Sequence, residues 1–273
     1  MKRVYVYGAF DDIKSRHVRF LQEAAKLGEP NVLLWTDDAT ERLTGKPPKF
    51  PLQERAYFLE SIRFVKSVTS TDALSCEHSL RMDNVATSDA WVISEFDDNL
   101  YMREFCVSTG LEYIIIPNDS LMGFPSMDNT EGIPCEAKPK VVVTGCYDWL
   151  HTGHIRFFEE ASAYGDLFVV VGHDANLRRL KGEGHPMFSQ EERRYMVQSI
   201  RFVRSAMISS GDGWLDAEPE IMRIKPNIYL VNEDGDRVEK RKFCDKQGIQ
   251  YVVLKRTPKE GLPRRESTQL RGF

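Results

Sequence analysis

The sequence predicts two tandem α/β domains, each a Rossmann-like, doubly wound parallel sheet, related by internal duplication. Apolar segments of strand length alternate with segments of helical periodicity, which favours a parallel sheet covered on both faces. Short strings recur in the same order in the two halves, and a recurring order indicates a repeat. The chain has 273 residues, of which 41% are hydrophobic, enough for two domains of roughly 100 to 200 residues.

The repeat defines the domain boundaries. Residues 61–65, Ser-Ile-Arg-Phe-Val, recur at 199–203, and Gly-Ala-Phe-Asp at 8–11 corresponds to Gly-Cys-Tyr-Asp at 145–148. We therefore predict one domain over residues 1–133 and a second over 139–273. The segment from Pro134 to Pro139, rich in Pro, Glu and Lys, joins them.

The second copy alternates strands and helices along its length. Its apolar runs predict strands, and its segments of helical spacing predict helices that cover them. The predicted order is strand 141–143, helix 155–164, strand 167–171, helix 191–203, strand 228–231, helix 238–247 and strand 251–254. In such sheets ligands bind at the carboxyl ends of the strands.

A candidate phosphate site follows the first strand of this copy. His151-Thr152-Gly153-His154 opens the next helix, where unpaired backbone N–H groups and the helix dipole attract anions. Gly153 allows a phosphate to approach the backbone. The two histidines are three residues apart, so both can direct donors at one phosphate group.

The segment Gly145-Cys146-Tyr147-Asp148 ahead of these histidines resembles the HxGH nucleotidyltransferase superfamily, and especially its cytidylyltransferases. Lys181-Gly182 with Phe188 to Arg193 resembles the family's KG…FTQEER segment. Arg256-Thr257 and Ser267-Thr268 resemble its RTxGIST signature. The tandem layout is similar to that of ethanolamine-phosphate cytidylyltransferases.

The resemblance implies an enzyme that transfers CMP from CTP to a small phosphomonoester, with Mg²⁺ as cofactor and pyrophosphate as product. The acceptor stays open among phosphoethanolamine, sugar or polyol phosphates and phosphonates. The catalytic residues would be His151, His154, Lys181 and Arg193, with Lys181 and Arg193 holding phosphates. The nucleotide-binding residues would be Gly145, Cys146, Tyr147, Asp148, Gly153, Asn232, Glu233, Asp234, Arg256, Thr257, Ser267 and Thr268. Asp148 would orient the histidine loop or the metal.

Some positions depart from the family pattern. Residues 258–266 separate Arg256-Thr257 from Ser267-Thr268, where the family usually has two residues, so the two ends need not superpose. The string from Ser267 to Arg271 also resembles the ending of adenylyltransferases, which leaves ATP as an alternative to CTP. A non-catalytic nucleotide-binding scaffold is a further alternative. Trp149 and Trp214 are candidates to line the acceptor pocket or to belong to the core.

The first copy lacks the residues that form the predicted phosphate site of the second copy. The position of the first histidine holds Lys14, the glycine is replaced by Arg16, and the position of Lys181 holds Thr44. We expect this half to be catalytically silent and to pack against its twin as an internal pseudo-dimer; both a monomeric and a homodimeric chain fit. Alternatively, Lys14, Arg16, His17 and Lys46 form a different anion site.

Composition excludes several classes of function. The net charge is −4, with acidic and basic residues interspersed, which argues against a nucleic-acid or membrane-surface partner. No apolar run approaches the roughly 20 residues of a membrane span, and the N-terminal residues lack a signal-peptide pattern. Five scattered cysteines, at positions 76, 106, 135, 146 and 244, indicate a reduced cytoplasmic setting.

Overall fold

The structure, a computed structural model, describes residues 2–72, 88–127 and 138–270, without the side chains of residues 268 and 269. The chain divides into two compact units, Met1–Gly123 and Phe124–Phe273. The domain limits predicted from the repeat stay a prediction, because most of the proposed linker lies outside the described residues. Cys76 and Cys135 also lie outside them.

Each unit contains one five-stranded sheet in which all strands are parallel. The order along the sheet is β3-β2-β1-β4-β5 in the first unit and β10-β9-β6-β7-β8 in the second. The first strand of each unit is therefore central, and the chain direction across the sheet reverses beside it. These sheets confirm the predicted fold class, whereas the internal duplication stays an inference from the sequence.

The first unit has five strands and four helices among the described residues. In order they are β1 (Arg3–Gly8), α1 (Ser15–Ala25), β2 (Glu29–Trp35), α2 (Asp37–Thr44), α3 (Leu52–Ser61), β3 (Ser67–Thr71), β4 (Ala90–Ser94), α4 (Leu100–Thr109) and β5 (Glu112–Ile116).

The second unit begins with β6 (Lys140–Gly145), α5 (Thr152–Ser162), β7 (Asp166–Val171), α6 (Asp174–Lys181), α7 (Gln190–Gln198) and β8 (Val203–Ile208). It continues with α8 (Glu218–Ile224), β9 (Ile228–Asn232), α9 (Val238–Gln247), β10 (Gln250–Leu254) and α10 (Ser267–Leu270). No helix in the described ranges has the length and apolar character to cross a membrane.

One predicted element was wrong. The helix expected over residues 191–203 ends at Gln198, and residues from Val203 form strand β8 instead. Ser199 caps the helix, and its hydroxyl donates to the Met196 carbonyl at 2.6 Å. The apolar residues Ile200, Phe202 and Val203 around Arg201 fit a helix face and a strand equally well, so periodicity alone could not separate the two.

One buried core cluster of the second unit joins its sheet to helices α8 and α9. Val142, Val170 and Tyr229 from three strands pack against Ile221 of α8 and Phe243 of α9, and all five side chains are buried. Complete burial contributes about 1.5–3 kcal/mol to the free energy of unfolding for each large apolar side chain. It fixes the strands whose carboxyl ends form the site described next.

Candidate active site

A cavity of about 380 Å³ lies in the second unit where strands β6 and β9 end. Thr144 and Gly145 at the end of β6 line it, as does Asn232 at the end of β9. β6 and β9 are neighbouring strands. The chain moves across the sheet from β6 toward β8 on one side and from β9 toward β10 on the other, and parallel sheets bind ligands at such a point. The volume is within the usual range of small-molecule sites.

The loop after β6 has a constrained backbone. Tyr147 adopts a left-handed conformation with φ of 51°, which is uncommon for a residue with a side chain. Its buried ring lies against Gly145, where an added Cβ would come within 2.7 Å of the Tyr147 Cζ atom. An alanine at position 145 would therefore force the Tyr147 ring to shift. Asp148 Oδ1 accepts hydrogen bonds from the backbone N–H groups of Met187 at 2.7 Å and Phe188 at 3.1 Å, which joins the loop to the segment before α7.

The two histidines form a stacked pair at the start of α5. His151 is the N-cap, and its Nδ1 accepts a hydrogen bond from the Gly153 backbone N–H at 3.1 Å. The two imidazole rings stack with their centres 3.9 Å apart, and the Tyr147 ring meets His154 edge-on at 5.3 Å. His154 lines the cavity, whereas His151 is 3% exposed and is not among the lining residues. The structure thus brings only one of the two predicted histidines to the cavity.

Both imidazoles are neutral near pH 7. Burial lowers the pKa of His151 to about 3, with further lowering by the charges of Arg256 and Arg265. Burial also places the pKa of His154 well below its usual value, helped by the neighbouring imidazole of His151. Because His151 Nδ1 accepts a hydrogen bond, this geometry assigns the ring proton to Nε2.

The His151 Nε2 group is buried and makes no hydrogen bond to the part of the chain that the structure describes. An unpaired buried donor costs about 1–3 kcal/mol, so a ligand that supplied an acceptor would recover that energy. The Tyr147 hydroxyl and the Asn232 side-chain oxygen are likewise buried without partners among those residues. Tyr147 and Asn232 both line the cavity.

Lys181, at the end of α6, also lines the cavity. Its charge contributes to the lowered pKa of His154. Cys146 lies on the same wall, and burial raises the pKa of its thiol. The Lys181 cation beside the neutral imidazole of His154 makes this wall attractive to an anion.

Arg193 is a buried residue of α7. Its guanidinium is 1% exposed and donates to the carbonyls of Phe188 at 3.0 Å, Cys146 at 2.6 Å and Gly172 at 2.7 Å. It also pairs with the Asp174 carboxylate at 2.7 Å. Backbone carbonyls and a carboxylate thus occupy donors of Arg193, and it is not among the residues that line the cavity, so its predicted contact with substrate phosphate stays a prediction. Arg193 instead ties the loop after β6 to the end of β7.

The residues after β9 hold an arginine at the cavity. Asp234 Oδ2 pairs with Arg256 Nη1 at 2.7 Å, and Glu233 Oε1 accepts from the Arg256 backbone N–H at 3.3 Å. Asn232, Asp234 and Arg256 all line the cavity. Glu233 and Asp234 are therefore more than solvated loop acids, since they position Arg256.

The insertion at 258–266 folds back toward the cavity. Arg256 Nη2 donates to the Arg265 carbonyl at 2.9 Å, and Lys259 pairs with Glu159 of α5 at 2.8 Å. Ser267 thereby lines the same cavity as Arg256, although nine residues of insertion separate the two parts of the signature.

A smaller cleft lies beside this insertion. Thr257 lines it together with Gly153 and Arg265. The backbone carbonyl of Arg265 lies 3.4 Å from where a Cβ on Gly153 would be, which puts the insertion directly against the start of α5. The Thr268 side chain lies outside the described residues, so its predicted role stays a prediction.

Several residues that line the cavity were not predicted from the sequence. Asn176, His185, Asp216, Arg237 and Lys240 all line the cavity. Arg237 and Lys240 lie at the start of α9, directly after a strand end, and that position could have signalled them. The others come from loops and helices whose place depends on the tertiary fold.

The two tryptophans differ in environment. Trp149 is 8% exposed and packs against Phe188, with ring centres 6.1 Å apart, so it belongs to the core. Trp214 is 57% exposed and lines the cavity, with the Arg237 guanidinium 5.3 Å from its ring centre. Trp214 is thus the tryptophan available to a ligand.

Magnesium has no protein cage here. Within the described ranges no three His, Cys, Asp or Glu side chains gather as a metal site, although Asp148, Asp216 and Asp234 line the cavity. Mg²⁺ in nucleotide enzymes keeps several waters and binds largely through substrate phosphates. The carboxylates present fit an ion that arrives with a triphosphate better than one bound by the protein alone.

Comparison with known proteins places this site in a family. Residues 142–266 match the family model described as cytidylyltransferase-like. FAD synthase from Aciduliprofundum boonei is 34% identical over 119 residues, which cover 42% of this chain and 76% of the relative. The chain belongs to the cytidylyltransferase-like family. Its relatives include nucleotidyltransferases, which agrees with the predicted resemblance at the level of the family.

Other relatives are longer proteins. The bifunctional protein HldE of Campylobacter concisus is 39% identical over 101 residues, which is 36% of this chain and 21% of the relative. This chain therefore spans about a fifth of the length of that relative. A crystal structure of a lipopolysaccharide core biosynthesis protein from Thermoplasma volcanium aligns with 45% of this chain and 100% of its own, at 25% identity and a TM-score of 0.39.

The equivalent place in the first unit differs. Lys14 caps α1 and pairs with Asp12 at 2.9 Å, and Thr44 donates its hydroxyl to the Thr40 carbonyl at 2.8 Å. Arg16 and His17 line a cavity there, which neither Lys14 nor Lys46 lines. The four side chains that the sequence proposed as an anion site are thus not brought together.

Proposed function

We propose that the second unit is a nucleotidyltransferase that transfers a nucleotidyl group from a nucleoside triphosphate to a small phosphomonoester. The oxygen of the acceptor phosphate attacks the α-phosphorus in line, the bond to the bridging oxygen breaks, and pyrophosphate leaves. The acceptor phosphate is already ionised near pH 7, so positioning and charge stabilisation replace a general base.

One observation carries the proposal. A single cavity brings together His154 at the start of α5, Lys181 at the end of α6 and Arg256 after β10. The helix N-terminus and the two cations attract the triphosphate, and the neutral imidazole of His154 can donate to oxygens that gain charge in the transition state. Mg²⁺, when bound with the triphosphate, would neutralise phosphate charge, and Asp148, which lines the cavity, is the carboxylate that we propose would orient it or the histidine loop.

CTP is the nucleotide that we propose first, because the matching family is cytidylyltransferase-like. ATP is the second candidate, since the FAD synthase of Aciduliprofundum boonei is named for a product that contains an adenylyl group. The rim formed by Trp214 and Arg237 offers an aromatic face and a cation for the acceptor. Phosphoethanolamine, sugar and polyol phosphates and phosphonates all suit such a rim.

The test measures pyrophosphate release with CTP and with ATP against a panel of these acceptors. Lys181→Ala should lower the rate at least about tenfold, because it removes a cation from the phosphate wall. Lys246→Ala is the matched control, since Lys246 also lies in the last turn of a helix but outside the cavity. His154→Ala should lower the rate by about a hundredfold or more.

Two results would defeat the assignment. One is pyrophosphate release that is unchanged in His154→Ala when the variant unfolds at the temperature of the parent chain. The other is the absence of release with every nucleotide and acceptor while nucleotide still binds, which would favour a non-catalytic nucleotide-binding scaffold.

A further inference from the structure

The first unit contains its own cavity of about 430 Å³ at the carboxyl ends of β1 and β4. Aromatic side chains supply much of its wall: Tyr7, Phe10, Phe20, Trp35 and Phe96. The Tyr7 and Trp35 rings lie 5.6 Å apart. Phe96 is 76% exposed at the rim, and the Arg16 guanidinium lies 5.5 Å from its ring centre. The Tyr7 and Trp35 rings are tilted by 60°, so each offers its own ring face, and the cavity also has the Phe96 ring beside a guanidinium.

This cavity does not suit a phosphate. Its charged lining residues are Asp11, Asp97 and Arg16, and Arg16 is already bound to the Asn118 side chain at 2.7 Å. Asp11 accepts from the backbone N–H groups of Lys49 and Phe50. Two carboxylates against one engaged cation would repel a polyanion, because charges in a partly buried site are weakly screened.

Neutral hydrogen-bonding groups are nevertheless present. His17 Nδ1 accepts from the Lys14 backbone N–H at 3.0 Å, which assigns the proton to Nε2, and burial lowers the pKa of the ring. His17 lines the cavity. Ser94 Oγ donates to Asp97 at 2.5 Å, and its lone pairs remain able to accept.

We propose that this cavity binds an uncharged, planar heteroaromatic molecule of nucleoside size. Flat aromatic and guanidinium surfaces stack on heteroaromatic rings, the His17 donor and the Ser94 and Asp97 acceptors match ring nitrogens and hydroxyls, and the carboxylates exclude a triphosphate. The first unit therefore acts as a binding module with a ligand class different from that of the second unit.

The test titrates adenosine and cytidine into the full chain by calorimetry, with ATP, CTP and choline as comparison ligands. We expect a nucleoside to bind with one equivalent, and Trp35→Ala to weaken this binding about tenfold or more through lost stacking. Trp35→Phe keeps a ring and should retain most of the affinity. Trp214→Ala removes the tryptophan of the other cavity and should leave nucleoside binding at the first unit unchanged.

Four results would overturn the proposal: no nucleoside binding at millimolar concentration, a loss in Trp214→Ala but not in Trp35→Ala, tighter binding of choline than of nucleosides, or tighter binding of ATP or CTP that is lost in Trp35→Ala. Equal losses in Trp35→Ala and Trp35→Phe, with both variants folded, would also argue against stacking. The binding measurement needs no turnover, so its outcome is separate from that of pyrophosphate release by the second unit.

Discussion

Replacing Arg193 distinguishes a structural arginine from a substrate-binding one. The guanidinium donates to three backbone carbonyls and to Asp174 while 1% exposed. Removing one partner of a buried ion pair costs about 3–5 kcal/mol, and stranded carbonyls cost about 1–3 kcal/mol each unless water enters. The Asp174 side chain is 23% exposed, so water offsets part of this, and we expect Arg193→Ala to destabilise the second unit by about 3–5 kcal/mol.

The assay is urea denaturation of the full chain, with hydrogen exchange to locate the loss. The first unit provides a matched control, because Arg55 is 2% exposed and donates to the Phe50 and Ala9 carbonyls and to Asp37. Arg55→Ala should destabilise the first unit by a similar amount. If Arg193→Ala unfolded like the parent chain but lost nucleotide affinity, the structural assignment would be refuted and a direct phosphate contact restored.

Three further predictions follow from the site. Gly145→Ala should destabilise the chain by about 1–3 kcal/mol through overpacking against Tyr147, whereas Gly235→Ala, whose added Cβ would meet nothing closer than 3.8 Å, should change the melting temperature little. The buried, neutral His151 stabilises the fold fully above the pKa of an unfolded histidine, about 6.5, and this contribution is lost as the pH falls toward the folded pKa of about 3. The loss is about 2 kcal/mol at pH 5. In urea titrations, the difference in unfolding free energy between pH 7 and pH 5 should be smaller for His151→Asn than for the parent chain, and an equal difference would contradict the lowered pKa. Lys259→Ala should raise KM for the nucleotide with unfolding free energy changed by less than about 1 kcal/mol, and an unchanged KM would show that this ion pair does not hold the insertion for binding.

The sequence correctly predicted the strands and helices whose residue pattern fits only one type of secondary structure. Val141 to Val143 is a continuous apolar run after a break, and it lies in β6. The helix at 238–247 ends at Gly248, which adopts a left-handed conformation with φ of 68°, as a helix C-cap requires. The helix end at Gln198 could not be predicted, because the sequence is compatible with a longer helix and with a strand. Side-chain capping and strand pairing with β7 decided between them.

The site divides in the same way. Gly145 ends β6 and His154 lies in the first turn of the next helix, so chain position alone brought them to the cavity. Arg193 has the right residue type in the right segment, yet its direction depends on three carbonyls contributed by separate loops. The sequence of residues 258–266 does not predict that they fold back against α5, because that placement depends on the ion pair between Lys259 and Glu159.

The placement of Arg256 and Ser267 has a consequence for shortened forms of the chain. Both residues follow the last strand of the described residues, yet they line the cavity. A chain cut after Leu254 keeps every strand of both sheets but lacks this part of the pocket. Such a chain should retain the parallel sheets and bind nucleotide more weakly than the parent chain.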